Sequence, residues 1–532
     1  MSQSAAALID ISDSPAALNA QVGTVLERAR WASQVYQRYD RDTTLAIAEA
    51  VARVAHSKAG EYAEWAVRET GFGVVVHKKL KNELASLGLL DYYRDWDFVN
   101  PRIDEKRKIV EIPRPAGVIF ALAPSTNPIA TVFFKVLSAL LTRNAIVFSA
   151  HPAALECCTD ALDTLAAAAV EAGAPDGIIQ VVRKPTVPLI EAYMASDKTD
   201  VILATGGAAM VRAAYSSSNP AIGVGPGNAP AFVDSTADLK QAAQNFIESK
   251  SFDNSILCTN ESVVITLQSV DDGLRRALKA AGGHLCSDEE TTLLRNYLFH
   301  AHGFNIEAIG RDAGWIAGQA GFKISARASV LIAPISKIGV DEDLSREKLC
   351  PVLGYYVADS KAQAIAQARG MLRMAGAGHS ASIHSSDAQT AMDFATAVET
   401  YRVVVNAPCS QGAAGFATNL PPTFTIGTGF FGRSSMGENI GPQHLLHWTR
   451  LAYNSDPAET MGDYSGVLVH HKGPLITAPA DGISSYGGRS LSADPPAGPP
   501  TPARPVNATS EDITRDEIRK IIVEELRAAL KA

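Results

Sequence analysis

Apolar positions change rhythm several times along the 532-residue chain. From about 13 to 97, Ala, Leu, Val and Tyr recur at helical spacing among Glu and Arg. Breakers are few before the Glu-Thr-Gly-Phe-Gly at 69–73, so a layer of helices is predicted. From about 103 to 235 short β-branched runs (109–112, 117–122, 145–148, 178–182, 201–203 and 231–233) are separated by Ala-rich helical stretches. Strands alternating with helices predict a parallel sheet with right-handed crossovers, an α/β domain of the nucleotide-binding kind. A second alternating region runs from about 240 to 425, with strands predicted at 262–266, 353–357 and 402–405.

The rhythm stops at 484–509, where six prolines fall between 495 and 505 with almost no apolar anchor, a composition that predicts an extended linker. Beyond it, behind a Thr514/Glu517 capping-box pattern, Ile518, Ile521, Ile522, Leu526, Ala529 and Leu530 fall on one helical stripe. A lone helix of that length is marginal in water, so the stripe needs a partner surface: its own domain, a sister subunit or another protein.

Composition narrows the function classes. The chain is 46% hydrophobic against 20% charged, which supports sizeable cores and excludes wholesale disorder. A formal net charge of −8 with no long basic run argues against nucleic acid as the main partner. No apolar stretch approaches the roughly 20 residues needed to span a bilayer. The first residues lack the basic and apolar regions of a secretory signal. The six cysteines form no C-x-x-C pair, which indicates reduced thiols in a cytoplasmic setting rather than a disulfide framework or a metal ribbon.

Four segments could carry chemistry. Cys258 lies between the turn-forming Asp253-Asn254-Ser255 and a β-branched run, at an element boundary where a thiol can be reached. A buried structural cysteine is the alternative. Thr205-Gly206-Gly207 follows a strand and precedes a helix whose first N–H groups can face a phosphate, although ordinary β–α turns look the same. The Gly223-Val224-Gly225-Pro226-Gly227 segment implies backbone packed close to a ligand or a neighbouring turn. Asn127, at the end of a strand, offers an amide to an oxyanion, or is simply Asn-Pro turn chemistry.

In this order the segments APSTNPIATVFFKVLSALLTRNAIVFSAHP, LATGGAAMVRAAYSSSNPAIGVGPGN, SFDNSILCTNESVVI and EKLCPVLGYY resemble the CoA-acylating aldehyde dehydrogenases, including those of bacterial microcompartments, over roughly residues 15–465. The resemblance implies an α/β aldehyde dehydrogenase fold with a Rossmann-like cofactor domain, a catalytic α/β domain and a small oligomerisation arm. Its implied boundaries are 1–235 for the first domain (arm near 103–115), 236–430 for the catalytic domain and 431–483 for a return to the cofactor domain and arm. The linker at 484–509 and a tethered helix at 510–532 follow. It implies Cys258 as nucleophile and Asn127 as oxyanion partner, with Thr205, Gly206, Gly207, Gly225 and Glu347 holding NAD or NADP, and no metal. Asn406, Pro408, Gln411 and Gly412 fall in a motif resembling a loop close to the active site.

The implied partners are a small aldehyde, coenzyme A and a second copy of the chain in a dimer or tetramer. Residues 510–532 resemble encapsulation peptides, which implies shell proteins as a further partner and a microcompartment lumen as the location. The residues after about 465 are too few for the alcohol dehydrogenase domain of the bifunctional relatives.

Two departures matter. Hydrolytic aldehyde dehydrogenases carry a glutamate base 34 residues before the nucleophile, and the corresponding residue is Val224. Without that base, water attacking a thioester loses a contribution of roughly 10²–10⁴ in rate, and the acyl group waits for a better nucleophile. A hydrolytic enzyme would then need a base from elsewhere, such as His379 or His444. A non-catalytic assembly module is the third expectation. The lysine that usually contacts the adenosine ribose is replaced by Ser149, which leaves NAD and NADP both open.

Overall fold

The computed structural model describes residues 14–300 and 303–467, so the expected linker at 484–509 and stripe at 510–532 lie outside the described residues. The helical layer comprises Pro15–Tyr36, Arg41–Ser57, Ala59–Thr70 and Val75–Glu83. Local chemistry sets its boundaries. Ser14 and Asp40 cap the first two helices by accepting from Ala17 N and Thr43 N, and Gly71 closes the third at φ 73°. Ile47, Ala48, Val51, Ala52 and Ala55 bury one face of the second helix, which packs on helices Pro128–Leu141 and Leu155–Glu171.

The first sheet consists of β3 (Val118–Ala123), β4 (Ala145–Ala150), β5 (Ile179–Val181), β6 (Val201–Thr205) and β7 (Ala221–Val224), all parallel in the order β5-β4-β3-β6-β7. β3 and β4 are buried at every position, which is why they appear as continuous apolar runs rather than alternating ones. The winding reverses between β3 and β6, and a crevice opens at the carboxyl ends of strands at such a switch point.

The second sheet holds β8 (Ala229–Val233), β9 (Glu261–Leu267), β10 (Gly283–Leu285), β13 (Val330–Pro334), β14 (Val352–Ala358), β15 (Ala381–His384) and β16 (Val403–Val405), in the order β10-β13-β14-β9-β8-β15-β16. Between β10 and β13 lies a short hairpin of β11 (Phe299–His300) and β12 (Gly303–Phe304). A three-stranded antiparallel sheet joins β1 (Arg102–Asp104) and β2 (Ile109–Pro115) to β17 (Leu446–Ala452).

The run at 231–233, expected with the first sheet, pairs instead as β8 with β9 and β15 in the second sheet. The change of sheet therefore falls across Gly225–Asn228. A wholly buried strand carries no alternation to tell one parallel sheet from another, so its pattern could not place it. Among the described residues no helix is long and apolar enough to cross a membrane.

Candidate active site

A cleft of about 430 Å³ opens where the carboxyl ends of β3, β4, β6 and β7 face the loop that precedes β9. Asn127, Thr205, Gly206, Gly207, Gly225, Cys258 and Glu347 all line it, so the seven positions expected from sequence share one cavity.

The nucleophile candidate is delivered by a tight turn. Helix Leu239–Ser251 ends in a 3₁₀ turn, Phe252–Ser255, whose Asp253, Asn254 and Ser255 take φ of 50°, 50° and 62°. Three consecutive non-glycine residues in the left-handed region cost on the order of 1–2 kcal/mol each, so the surroundings must hold them. They do. The Asp253 carboxylate accepts from Val74 N at 2.6 Å, from Lys78 Nζ at 3.2 Å and from Lys81 Nζ, while its own N–H donates to His77 Nδ1 at 2.8 Å. Asn254 Nδ2 donates to Gly310 O, and Asn260 Nδ2 to Ser255 O.

The turn leaves Cys258 half-buried at the cleft wall, whereas the other five cysteines are buried. Cys409 opens the short helix Cys409–Ala413. Burial pushes the Cys258 thiol up to about 12, and Glu347 adds to the rise. Its own backbone N–H, Arg402 and Lys81 pull the other way.

Asn127 stands directly before helix Pro128–Leu141, every residue of which is buried. Pro128 at the first helical position needs no N–H partner, and Asn127, at φ −131°, caps nothing with its side chain. The amide is therefore not consumed by turn chemistry. Its Oδ1 accepts from Lys81 Nζ, and its Nδ2 makes only a long contact of 3.4 Å to Thr126 Oγ1.

On the opposite wall, β6 ends at Thr205 and Gly207 caps helix Ala208–Ser216 without a side chain. A Cβ at 206 would touch only Met210, and one at 207 or 225 would meet nothing within 4 Å. Such open backbone beside unpartnered helix N–H groups fits a dinucleotide's pyrophosphate. Glu347 Oε1 accepts from Gly227 N at 3.1 Å, and burial pushes its carboxyl up to about 8.

Val224, at the position of the hydrolytic base, is a buried apolar wall of this cleft. The alternative bases stand apart from the residues that line it. His379 is fully buried, bonded to Ser380 Oγ through Nδ1, and burial pushes it down to about 3. His444 is engaged by Gly441 and Glu438. Asn406, Pro408, Gln411 and Gly412 do not reach the cleft either. Asn406, at φ 52°, instead binds Ser385 through both ends of its amide. Ile256, Leu257, Phe424 and Ile426 supply the apolar part of the cleft wall. Sequence reasoning missed Lys78 and Lys81, and it treated Asp253 only as a turn former, whereas the close packing expected of the Gly223–Gly227 segment is found at Gly227. Two lysines three apart on a charged helix look like any solvated face.

The chain is 38% identical over 398 residues to the aldehyde-alcohol dehydrogenase of Clostridium acetobutylicum, which covers 74% of this chain but only 46% of that one. It thus spans about half the length of the bifunctional relatives it matches. It is 33% identical over 437 residues to the succinate-semialdehyde dehydrogenase (acetylating) of Clostridium kluyveri, covering 82% of this chain and 96% of the relative.

Three solved structures superpose well. An acetylating aldehyde dehydrogenase from Geobacillus thermoglucosidasius does so with a TM-score of 0.80 at 35% identity, over 82% of this chain and 97% of that one. A propionaldehyde dehydrogenase from the Clostridium phytofermentans fucose utilisation bacterial microcompartment gives 0.75 at 29% identity, over 81% and 97%. The Rhodopseudomonas palustris propionaldehyde dehydrogenase with bound CoA and an acylated cysteine gives 0.73 at 25% identity, over 81% and 97%. Residues 6–449 match the aldehyde dehydrogenase family, and the chain belongs to that family.

Proposed function

We propose that this chain is a CoA-acylating aldehyde dehydrogenase that converts a small aldehyde, CoA and NAD(P)⁺ into the acyl-CoA, NAD(P)H and a proton. Cys258 is assigned as the nucleophile. Its thiolate attacks the aldehyde carbonyl, and the oxyanion is met by Asn127 Nδ2 and the Cys258 backbone N–H. Thr205, Gly206, Gly207, Gly225 and Glu347 would hold the nicotinamide cofactor, which accepts a hydride when bound. Loss of that hydride from the carbonyl carbon leaves a thioester on Cys258. The CoA thiol then attacks the acyl carbon and displaces the Cys258 sulfur, so that the acyl group leaves on CoA and the cysteine is freed with the thiol's proton.

The observation that carries the acylating over the hydrolytic reaction is Val224, an isopropyl group in the cleft wall where a carboxylate would have to activate water. Acetylating enzymes among the relatives support the same choice. The test is NAD(P)H formation from acetaldehyde and propionaldehyde with and without CoA. Dependence on CoA supports the proposal, CoA-independent turnover to the acid favours hydrolysis, and no turnover at all favours an assembly module.

Encapsulation in a bacterial microcompartment extends the proposal. It is supported by the apolar stripe of residues 510–532 behind a proline-rich tether, and by the structural similarity to a microcompartment enzyme.

A further inference from the structure

Behind Asn127 lies a cluster of buried charge that the proposed reaction does not by itself explain. Lys81 is 1% exposed and Asp253 fully buried, and Lys78 lies beside them at 3%. Two ammonium groups share one carboxylate, so a positive charge remains in the pocket. Buried charge beyond what a partner neutralises is costly, and a hydrophobic plug would serve packing better. Excess buried charge beside a cleft is accordingly a functional signal.

We infer that Lys81 is a positioning residue, fixing the Asn127 amide so that its N–H groups face the carbonyl oxygen of the substrate, with Asp253 and Lys78 as its mount. The inference rests on the acylating reaction proposed above. An ammonium only donates, so the Asn127 atom turned to Lys81 must be the acceptor Oδ1. The planar amide then presents Nδ2 away from Lys81, and Asn127 lines the cleft together with Cys258. Lys78 secures the same segment, donating to Thr126 O at 3.0 Å as well as to Asp253.

The mount also connects the two halves of the site. Asp253 begins the left-handed turn that carries Cys258, and its carboxylate holds both lysines of helix Val75–Glu83. Gly73 is required by the same contact, because a Cβ there would stand 2.1 Å from Asp253 Oδ1. One carboxylate thus ties the nucleophile's turn to the lysine that orients the oxyanion donor. Burial lowers Lys81 to about 8 while Asp253 opposes the drop, and Cys258 counts among the groups that favour its charged form.

A double-mutant cycle on the full chain separates positioning from mere packing. The assay is kcat and KM for CoA-dependent NAD(P)H formation from propionaldehyde. Asn127→Ala should lose about 10²–10³ in kcat. Lys81→Met should lose about 10–100-fold, mainly in kcat, and the double variant should be no worse than Asn127→Ala within about threefold. Lys81→Gln keeps an N–H donor and should recover most of what Lys81→Met loses.

Losses that multiply in the double variant, or a Lys81→Gln as poor as Lys81→Met, would overturn the inference. If Lys81→Met does not fold, the cycle is run with Lys81→Gln and Lys81→Ala, and the same two outcomes decide. An inactive wild type would instead sink the acylating reaction itself, and the role of Lys81 with it.

Discussion

The carbonyl of Cys258 packs against Gly227 so closely that a Cβ at 227 would stand 2.0 Å from its oxygen. Gly227 N–H at the same time donates to Glu347 at 3.1 Å. This glycine therefore sets the distance between the nucleophile's loop and the carboxylate expected to hold the cofactor. Gly227→Ala should displace the Cys258 loop and lower kcat/KM by about 100-fold, the scale expected for an ångström of misplacement. Gly225→Ala meets open space and should change only the cofactor KM. Steady-state kinetics on the two variants, with thermal unfolding as a control, checks the contrast. Equal effects would mean that the close approach at 227 is of no consequence.

Cys258→Ala should abolish both NAD(P)H formation and acyl transfer while leaving the fold intact, because the other five cysteines are buried. Intact-protein mass after incubation with acyl-CoA should show an acyl adduct on the wild type and none on the variant. An adduct on the variant would remove Cys258 from its role.

The resting thiol, pushed up to about 12, leaves a thiolate fraction of only about one in ten thousand at pH 8. Iodoacetamide alkylation of Cys258 in the cofactor-free enzyme should therefore keep rising from pH 7 to 10 without a plateau. Glu347 titrates near 8, so it gains charge within this window and opposes the thiolate above it. Glu347→Gln removes that opposition. The variant should be alkylated faster than wild type at pH 9–10 and at the same rate below pH 7, where Glu347 is protonated in the wild type. An equal ratio across the whole range would show that the two groups do not interact.

Much of this site was legible because its backbone chemistry is local. Strand, Gly-Gly, helix at 201–216 and strand, Asn-Pro, helix at 118–141 specify their turns within a few residues. What could not be read depends on contacts distant in sequence. Lys81 meets Asp253 across 172 positions, and nothing in its own neighbourhood distinguishes it from the exposed Lys79. The assignment of 231–233 to the first sheet failed for a related reason, since a strand buried on both faces does not encode its neighbours.

Val224→Glu places a carboxylate in the cleft wall where the hydrolytic relatives keep their base. Acid release in the absence of CoA should rise by about tenfold over wild type, within the range of general-base assistance. The new carboxyl would share a confined cleft with Glu347, which favours its protonated form, so the gain should grow with pH. A folded variant with no gain at any pH would leave the missing base without mechanistic weight.

The tail should be separable from catalysis. Deleting residues 485–532 should leave CoA-dependent activity within about twofold of wild type, because a proline-rich tether transmits little packing energy. The same deletion should abolish co-sedimentation with microcompartment shells, and fusing residues 505–532 to an unrelated protein should direct it to them. Ile522→Asp with Leu526→Asp should match the deletion by placing two charges on the stripe that must be buried. Changes at Arg519 and Glu524, off the stripe, should do much less. Size-exclusion chromatography and activity of the truncated enzyme provide the decisive control. If truncation dissociates an oligomer or costs several-fold in rate, the stripe packs on its own enzyme, and encapsulation through it is the wrong assignment.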